Sequence, residues 1–328
     1  MLTLRAPAKV NLRLRILARE TTGFHQLETV FAALEFGDTL SIARAAGGVA
    51  LTTEGPPTGP VRENLIHRAA RAFLARAGVD GGVEIRLEKR IPVGGGLGGG
   101  SSDAAATLRG LQTLFPGALG PEDVLCIAGG LGSDVPFFLC GSPLALAWGR
   151  GDRLLPLSPP PQAPVLLALP PVAVATAEAY RLLAVAREGG SRADTSGSEV
   201  PRPETPRPEG SRSEARHPET RRPGSSDVLT VEALSSWDGL ASLAGNDFEE
   251  VILPTHPLLR RLRKALEDTN PLFSLLSGSG ACLFAIYGNE GVAVEAKDRL
   301  EERFPESSFV LTRTETGVGE TSSLEGRY

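Results

Sequence analysis

Six glycines in the seven positions Gly94–Gly100, broken only by Leu97, constrain the fold of this chain more than any other feature. Such a run is costly inside a helix or a strand, so the segment must be a loop with unusual backbone angles. Before it, Val83, Ile85 and Leu87 alternate as in a strand. After it, Ser101-Ser102-Asp103 lead into Leu108, Leu111 and Leu114 at helical spacing. A glycine loop between a strand and a helix N-terminus suits an anion, because free N–H groups and the helix dipole point at it. Glycine also lets successive amides come close enough to wrap phosphate oxygens, and Ser101 and Ser102 add hydroxyl donors. The expected phosphate loop is Pro92-Val93-Gly94-Gly95-Gly96-Leu97-Gly98-Gly99-Gly100-Ser101-Ser102.

Two common phosphate loops fit poorly. The GxxxxGK[ST] order is absent. A GxGxxG can be read at Gly94, Gly96 and Gly99, but a dinucleotide fingerprint should open the first βαβ unit and be followed by an acid at a strand end. Here several strands and a helix come first, and the acids at the right distance, Glu122 and Asp123, fall at a helix start.

The rest of the chain reads as two halves. Residues 8–17 alternate with Val10, Leu12, Leu14 and Ile16 on one face, and short apolar runs follow at 27–34 and 39–43. Asn64 caps a helix that carries Leu65, Ile66, Ala69, Ala70, Phe73, Leu74 and Ala77 to a stop at Gly78, and Pro121 opens another that ends near Gly129-Gly130. Later come a strand at 165–169, a helix from Thr176, a helix at 256–268 and apolar runs at 272–276 and 281–287. The two runs flank Ser277-Gly278-Ser279-Gly280, and a helix at 292–303 and a strand at 308–312 close the series. Strands and helices mix without strict alternation, which predicts an α+β fold in two domains, 1–158 and 159–313, with a polar tail over 314–328. Within the second, residues 188–226 are Pro, Arg, Glu, Ser, Gly and Thr with almost nothing apolar to offset ordering, and read as a disordered insertion.

Composition narrows the class of function. A net charge of −5 with no basic stripe argues against a nucleic-acid partner. Cys126, Cys140 and Cys282 are far apart in apolar runs, fit no disulfide framework or zinc site, and read as reduced core residues of a cytoplasmic protein. No apolar run approaches the roughly 18 residues of a membrane span. Only four of the 34 basic residues are lysine: Lys9, Lys89, Lys264 and Lys297. A lysine in a chemically suggestive place is therefore notable.

Five segments, in order, resemble the GHMP kinases, the superfamily of galactokinase, homoserine kinase and mevalonate kinase. They are Ala6-Pro7-Ala8-Lys9-Val10-Asn11-Leu12, Gly23-Phe24-His25, the glycine loop with Ser101-Ser102-Asp103-Ala104-Ala105, Gly132-Ser133-Asp134-Val135-Pro136-Phe137-Phe138, and Leu276-Ser277-Gly278-Ser279-Gly280-Ala281-Cys282. The likeness is greatest to the branch that phosphorylates a cytidine-diphospho sugar alcohol on the non-mevalonate route to isoprenoid precursors. It implies a ribosomal-protein-S5-like N-terminal domain and a ferredoxin-like C-terminal domain, with ATP and substrate between them and Mg²⁺ accompanying ATP. The implied reaction moves the ATP γ-phosphoryl group to the acceptor's 2-hydroxyl.

The resemblance also implies roles. Asp134, which by local sequence alone reads as an Asx turn or helix cap, matches the catalytic aspartate, as a base or an electrostatic partner. Lys9 matches the catalytic lysine, and Asn11, two residues on, faces the same side of its strand. Phe24 and His25 match the segment that holds cytosine, with phenylalanine where tyrosine is usual, and Tyr180 is the second face of that stack. Asn64 matches a segment near the adenine pocket and equally a helix cap; Ser277 to Gly280 close over substrate or make a tight turn. No carboxylate cluster identifies ligands for Mg²⁺. A homoserine- or mevalonate-type kinase, and a catalytically silent nucleotide-binding regulator, are the competing readings.

Overall fold

A computed structural model describes residues 1–19, 25–193 and 229–317. The first half runs β1 (Leu2–Arg19), β2 (His25–Ala45), β3 (Gly48–Glu54), α1 (Leu65–Ala77), β4 (Gly82–Glu88), α2 (Gly99–Leu114), α3 (Pro121–Leu131), a 3-10 turn at Pro136–Leu139, β5 (Leu144–Gly149) and β6 (Arg153–Leu157). The second half begins with β7 (Pro164–Leu169), α4 (Thr176–Ala193), α5 (Val231–Leu234), α6 (Trp237–Leu243), β8 (Gly245–Asn246) and α7 (Glu249–Thr255). It continues with α8 (Pro257–Glu267), β9 (Phe273–Leu276), β10 (Leu283–Ile286), α9 (Glu290–Arg303) and β11 (Ser308–Arg313). The α+β character expected from the sequence holds.

The first sheet has the order β3-β4-β2-β1-β8, with β5 and β6 continuing from the other half of β2. The long β2 thus serves two neighbours: Leu27–Ala32 pair with β5, and Thr39–Ala45 with β4. The second sheet, β11-β7-β10-β9, is antiparallel throughout. The even-numbered residues of β1, Leu2 through Ile16, are all buried and feed three cores. Leu2, Leu4 and Ala6 join the core under α1 and α2; Ala8, Val10 and Leu12 pack toward Val165, Leu167, Phe284 and Ile286 of the second sheet; Leu14 and Ile16 reach the C-terminal helices. One strand therefore ties both halves, and its odd-numbered face is left for Lys9 and Asn11.

Local signals decide several ends. The Asn64 side chain accepts from Ile66 N–H and caps α1, while Gly78 takes the left-handed turn (φ 59°) that ends it. Strands β3, β5 and β6 had no distinct sequence signature: β5 is Leu-Ala-Leu-Ala-Trp-Gly, where alanine weakens the alternation. Helix α4 continues to Ala193, so the first residues of the 188–226 stretch are helical, and Asp194 to Val228 lie outside the described residues. In the 314–328 tail, Thr314 is buried, bridges to Leu34, and exchanges hydrogen bonds with Ala163. Residues 318–328 lie outside the described residues.

Candidate active site

The odd-numbered face of β1 opens into a cleft of about 1010 Å³ between the two halves. At its floor the Lys9 ammonium donates to Asn11 Oδ1 (2.7 Å) and to the Gly96 carbonyl (3.0 Å), and lies 3.5 Å from Asp134 Oδ2. Lys9 is 3 % exposed and sits over the Phe31 ring at 5.3 Å, so its charge is fixed in place rather than swept through solvent. Asn11 is oriented in turn: its Nδ2 donates to Thr29 Oγ1 (2.8 Å), which donates to the Arg13 carbonyl (2.6 Å). Asp134 follows α3 in the turn Gly132-Ser133-Asp134-Val135, and its side chain is 30 % exposed. A carboxylate there can meet both lysine and an incoming hydroxyl.

The glycine loop forms one wall. Gly94, Gly96 and Gly98 all have φ between 70° and 79°, a conformation that L side chains resist. The space also excludes side chains: a Cβ at Gly96 would lie 2.0 Å from the Ser277 carbonyl oxygen, and one at Gly98 2.9 Å from Lys9 Cγ. Helix α2 starts straight from Gly98 with no side-chain cap and no acid in its first turn, the condition under which its N-terminus can take an anion. Gly96, Gly98 and Ser101 border the cleft. Leu97 and Ser102 are buried, Val93 is exposed, Gly95 packs on Cys282, and Gly99 and Gly100 form the first turn of α2.

The C-terminal glycine turn closes the same wall. Ser277 Oγ donates to the Gly96 carbonyl (3.0 Å), Cys282 N–H to the Gly95 carbonyl (3.2 Å), and Asn246 Nδ2 to the carbonyls of Leu276 and Gly278 (2.8 Å each). Gly278 and Ser279 border the cleft, and Ser279 Oγ lies 3.0 Å from Thr176 Oγ1.

At the far end, His25 and Tyr180 stack with ring centroids 4.5 Å apart and planes 21° from parallel. Phe248 meets Tyr180 edge-on at 5.0 Å. Burial, and then the charge of Asp134, push the Tyr180 phenol up from its ordinary pKa, so this ring and Asp134 lie within electrostatic reach of each other. Lys9, Asn11, Asp134, His25, Tyr180 and part of the loop are therefore brought to one cleft, and Phe24 lies outside the described residues. The sequence reading missed Thr29, Arg150, Asp152 and Arg181 on the same walls, and the Asn246 brace behind them. Arg150 and Asp152 alternate with Gly149 and Gly151, a turn signal that could have drawn notice, whereas Thr29, Arg181 and Asn246 lie in no marked segment. Asn64 is occupied as the cap of α1 and also donates to Thr58 Oγ1 (3.1 Å). Among the described residues there is no group of three or more His, Cys, Asp or Glu that could cage a metal, and no helix long and apolar enough to cross a membrane.

Comparison with known proteins agrees with this geometry. Residues 64–142 match the model for the GHMP kinases N terminal domain, and residues 230–306 that for the GHMP kinases C terminal domain. A 4-diphosphocytidyl-2-C-methyl-D-erythritol kinase of Pelotomaculum thermopropionicum is 34% identical over 96% of this chain and 98% of its own length. The enzyme of the same name from Anaeromyxobacter dehalogenans is 39% identical over 88% of this chain and 81% of its own. A crystal structure of 4-(cytidine 5'-diphospho)-2C-methyl-D-erythritol kinase superposes with a TM-score of 0.72 at 33% identity, covering 97% of this chain and all of the other. Homoserine kinase from Cytophaga hutchinsonii shares the fold, with a TM-score of 0.64 at 18% identity over 96% of this chain and 95% of the other.

Proposed function

Since the chain belongs to the 4-diphosphocytidyl-2-C-methyl-D-erythritol kinases, a family of GHMP kinases, we propose that its cleft moves the ATP γ-phosphoryl group to the 2-hydroxyl of that cytidine-diphospho sugar alcohol. The chain is an ATP-dependent small-molecule kinase, and the reaction belongs to isoprenoid precursor synthesis by the non-mevalonate route. What carries the site assignment is the 3.5 Å approach of Lys9 to Asp134 between a glycine loop on one side and a ring stack on the other. We place ATP and acceptor between two domains that divide at residues 158 and 159, between β6 and β7.

Phosphoryl transfer needs alignment, charge neutralisation and a destination for the hydroxyl proton. In this reading Asp134 accepts the proton of the attacking hydroxyl, and Lys9, already held by Asn11 and Gly96, stabilises charge on the alkoxide and the transferring phosphoryl. The loop amides and the N-terminus of α2 hold the ATP phosphates. His25 and Tyr180 receive the cytosine, with Phe24 assigned to the same pocket on sequence alone. Mg²⁺ would be held mainly by phosphate and water oxygens, with Asp134 as the nearby carboxylate, a donor set that suits this ion and neutralises phosphate charge. The even acid–base balance and three unpaired cysteines suit a cytoplasmic enzyme with a small-molecule substrate.

The test is ³¹P NMR of the product formed from MgATP and the cytidyl substrate. A new phosphomonoester signal with no three-bond coupling to a proton supports the reading, because C2 carries the methyl group and no hydrogen. A product phosphorylated at any other hydroxyl refutes the proposed placement of the acceptor over Asp134.

A further inference from the structure

Just before the glycine loop, and not among the residues that line the cleft, lies a second lysine. Lys89 directly follows β4 and its side chain is 3 % exposed. Its ammonium donates to Asp38 Oδ2 (2.6 Å) and to Asp103 Oδ2 (2.7 Å), both buried carboxylates. Each partner anchors a different part of the loop. Asp38, from β2, also accepts from Arg90 N–H (2.5 Å) and Ile91 N–H (2.8 Å), the residues that lead out of β4 toward Pro92. Asp103 stands one turn into α2, the helix whose N-terminus faces the anion site. Lys89 thus ties the chain before the loop to the chain after it. The glycines between are gripped from both sides: a Cβ at Gly98 would meet Lys9, and a Cβ at Gly99 would meet Lys89 Nζ at 2.9 Å.

We propose that Lys89, clamped by Asp38 and Asp103, is a positioning residue that holds the glycine loop and the α2 N-terminus in the geometry that binds the ATP phosphates. The proposal rests on the reading of the loop as the ATP site. Its physical basis is that a loop of six glycines has little conformational preference of its own, so its amides converge only if its two ends are fixed. Lys89 does not line the cleft and its ammonium is held by two carboxyl groups, so it acts by fixing those ends and not by offering its charge. A network that served stability alone would leave substrate affinities in the folded protein unchanged. A positioning network changes one affinity and spares the other.

The test uses the full chain with Lys89→Met and Asp103→Asn. Nucleotide affinity is measured by titration with a fluorescent ATP analogue, and KM is measured for ATP and for the cytidyl acceptor. In Lys89→Met the nucleotide Kd and the KM for ATP should each rise about tenfold or more, an affinity loss of about 1.4 kcal/mol, while the acceptor KM stays within about twofold. Asp103→Asn keeps an oxygen for Lys89 and the side-chain volume, and should raise the same two quantities by about threefold. Breaking a buried pair is strongly destabilising, so if Lys89→Met does not fold, Asp103→Asn decides. Unchanged nucleotide affinity in a folded variant, or an equal rise in both KM values, overturns the proposal. Failure of the wild-type chain to bind the analogue overturns the ATP-site reading beneath it.

Discussion

Lys9 and Asp134 meet at 3.5 Å although one lies on the first strand and the other follows the third helix. The approach is made by the fold, since nothing near either residue in sequence announces the other. It puts a buried cation and a partly exposed carboxylate at one point, the arrangement a kinase needs where a hydroxyl loses its proton as phosphate arrives.

Replacing Asp134 with Asn keeps the shape and removes the proposed base. The expected outcome is a fall in kcat of about 10²–10⁴ with both KM values little changed. Steady-state kinetics check this, and a variant that loses only acceptor affinity would move Asp134 from chemistry to binding.

Tyr180→Ala removes the ring that stacks on His25. Stacking on a base contributes about 1–3 kcal/mol, so the KM for the cytidyl acceptor should rise at least about fivefold while the KM for ATP stays constant. Equal changes in both would mean that Tyr180 supports the cleft without touching the base.

Gly96→Ala demands a side chain at φ 79° and a Cβ 2.0 Å from the Ser277 carbonyl. The backbone conformation alone costs about 1–2 kcal/mol, and the clash must push the loop from the C-terminal glycine turn. ATP binding should be lost while far-UV circular dichroism stays native.

Burial raises the Asp103 carboxyl to about 7, with Lys89 opposing the shift and Asp38 adding to it. A carboxyl raised in the folded state keeps its proton there while the unfolded chain has lost it. Its contribution is fully present below the unfolded value near 3.8 and is lost as pH rises through about 7. Denaturant titrations at pH 5 and pH 8 should show a larger loss of stability in wild type than in Asp103→Asn. An identical pH dependence in the two proteins would contradict a raised Asp103.

Much of this was legible in sequence for physical reasons. The loop declared itself because no regular element tolerates such glycine density, and α1 because Asn64 and Gly78 are strong end signals. The shared face of Lys9 and Asn11 followed from strand alternation, and the hydrogen bond between them bears it out. Other features depend on distant partners. Ser102 reads as a hydroxyl donor to phosphate, yet the first turn of α2 rotates it into the core. Lys89 stood out by lysine scarcity, but its role needs Asp38 and Asp103, which only pairing of β2 with β4 and packing of α2 bring to it. Strand β8, two residues long, exists because Arg13 and Leu14 offer it an edge.

The most direct measurement of the central claim is a coupled ADP-release assay with purified protein and MgATP. Acceptors are 4-diphosphocytidyl-2-C-methyl-D-erythritol and, separately, homoserine, mevalonate and galactose, with Asp134→Ala as control. ADP release with the cytidyl acceptor alone, abolished in Asp134→Ala, is the expected result. Release with another acceptor, or with the cytidyl acceptor undiminished in Asp134→Ala, would contradict the account.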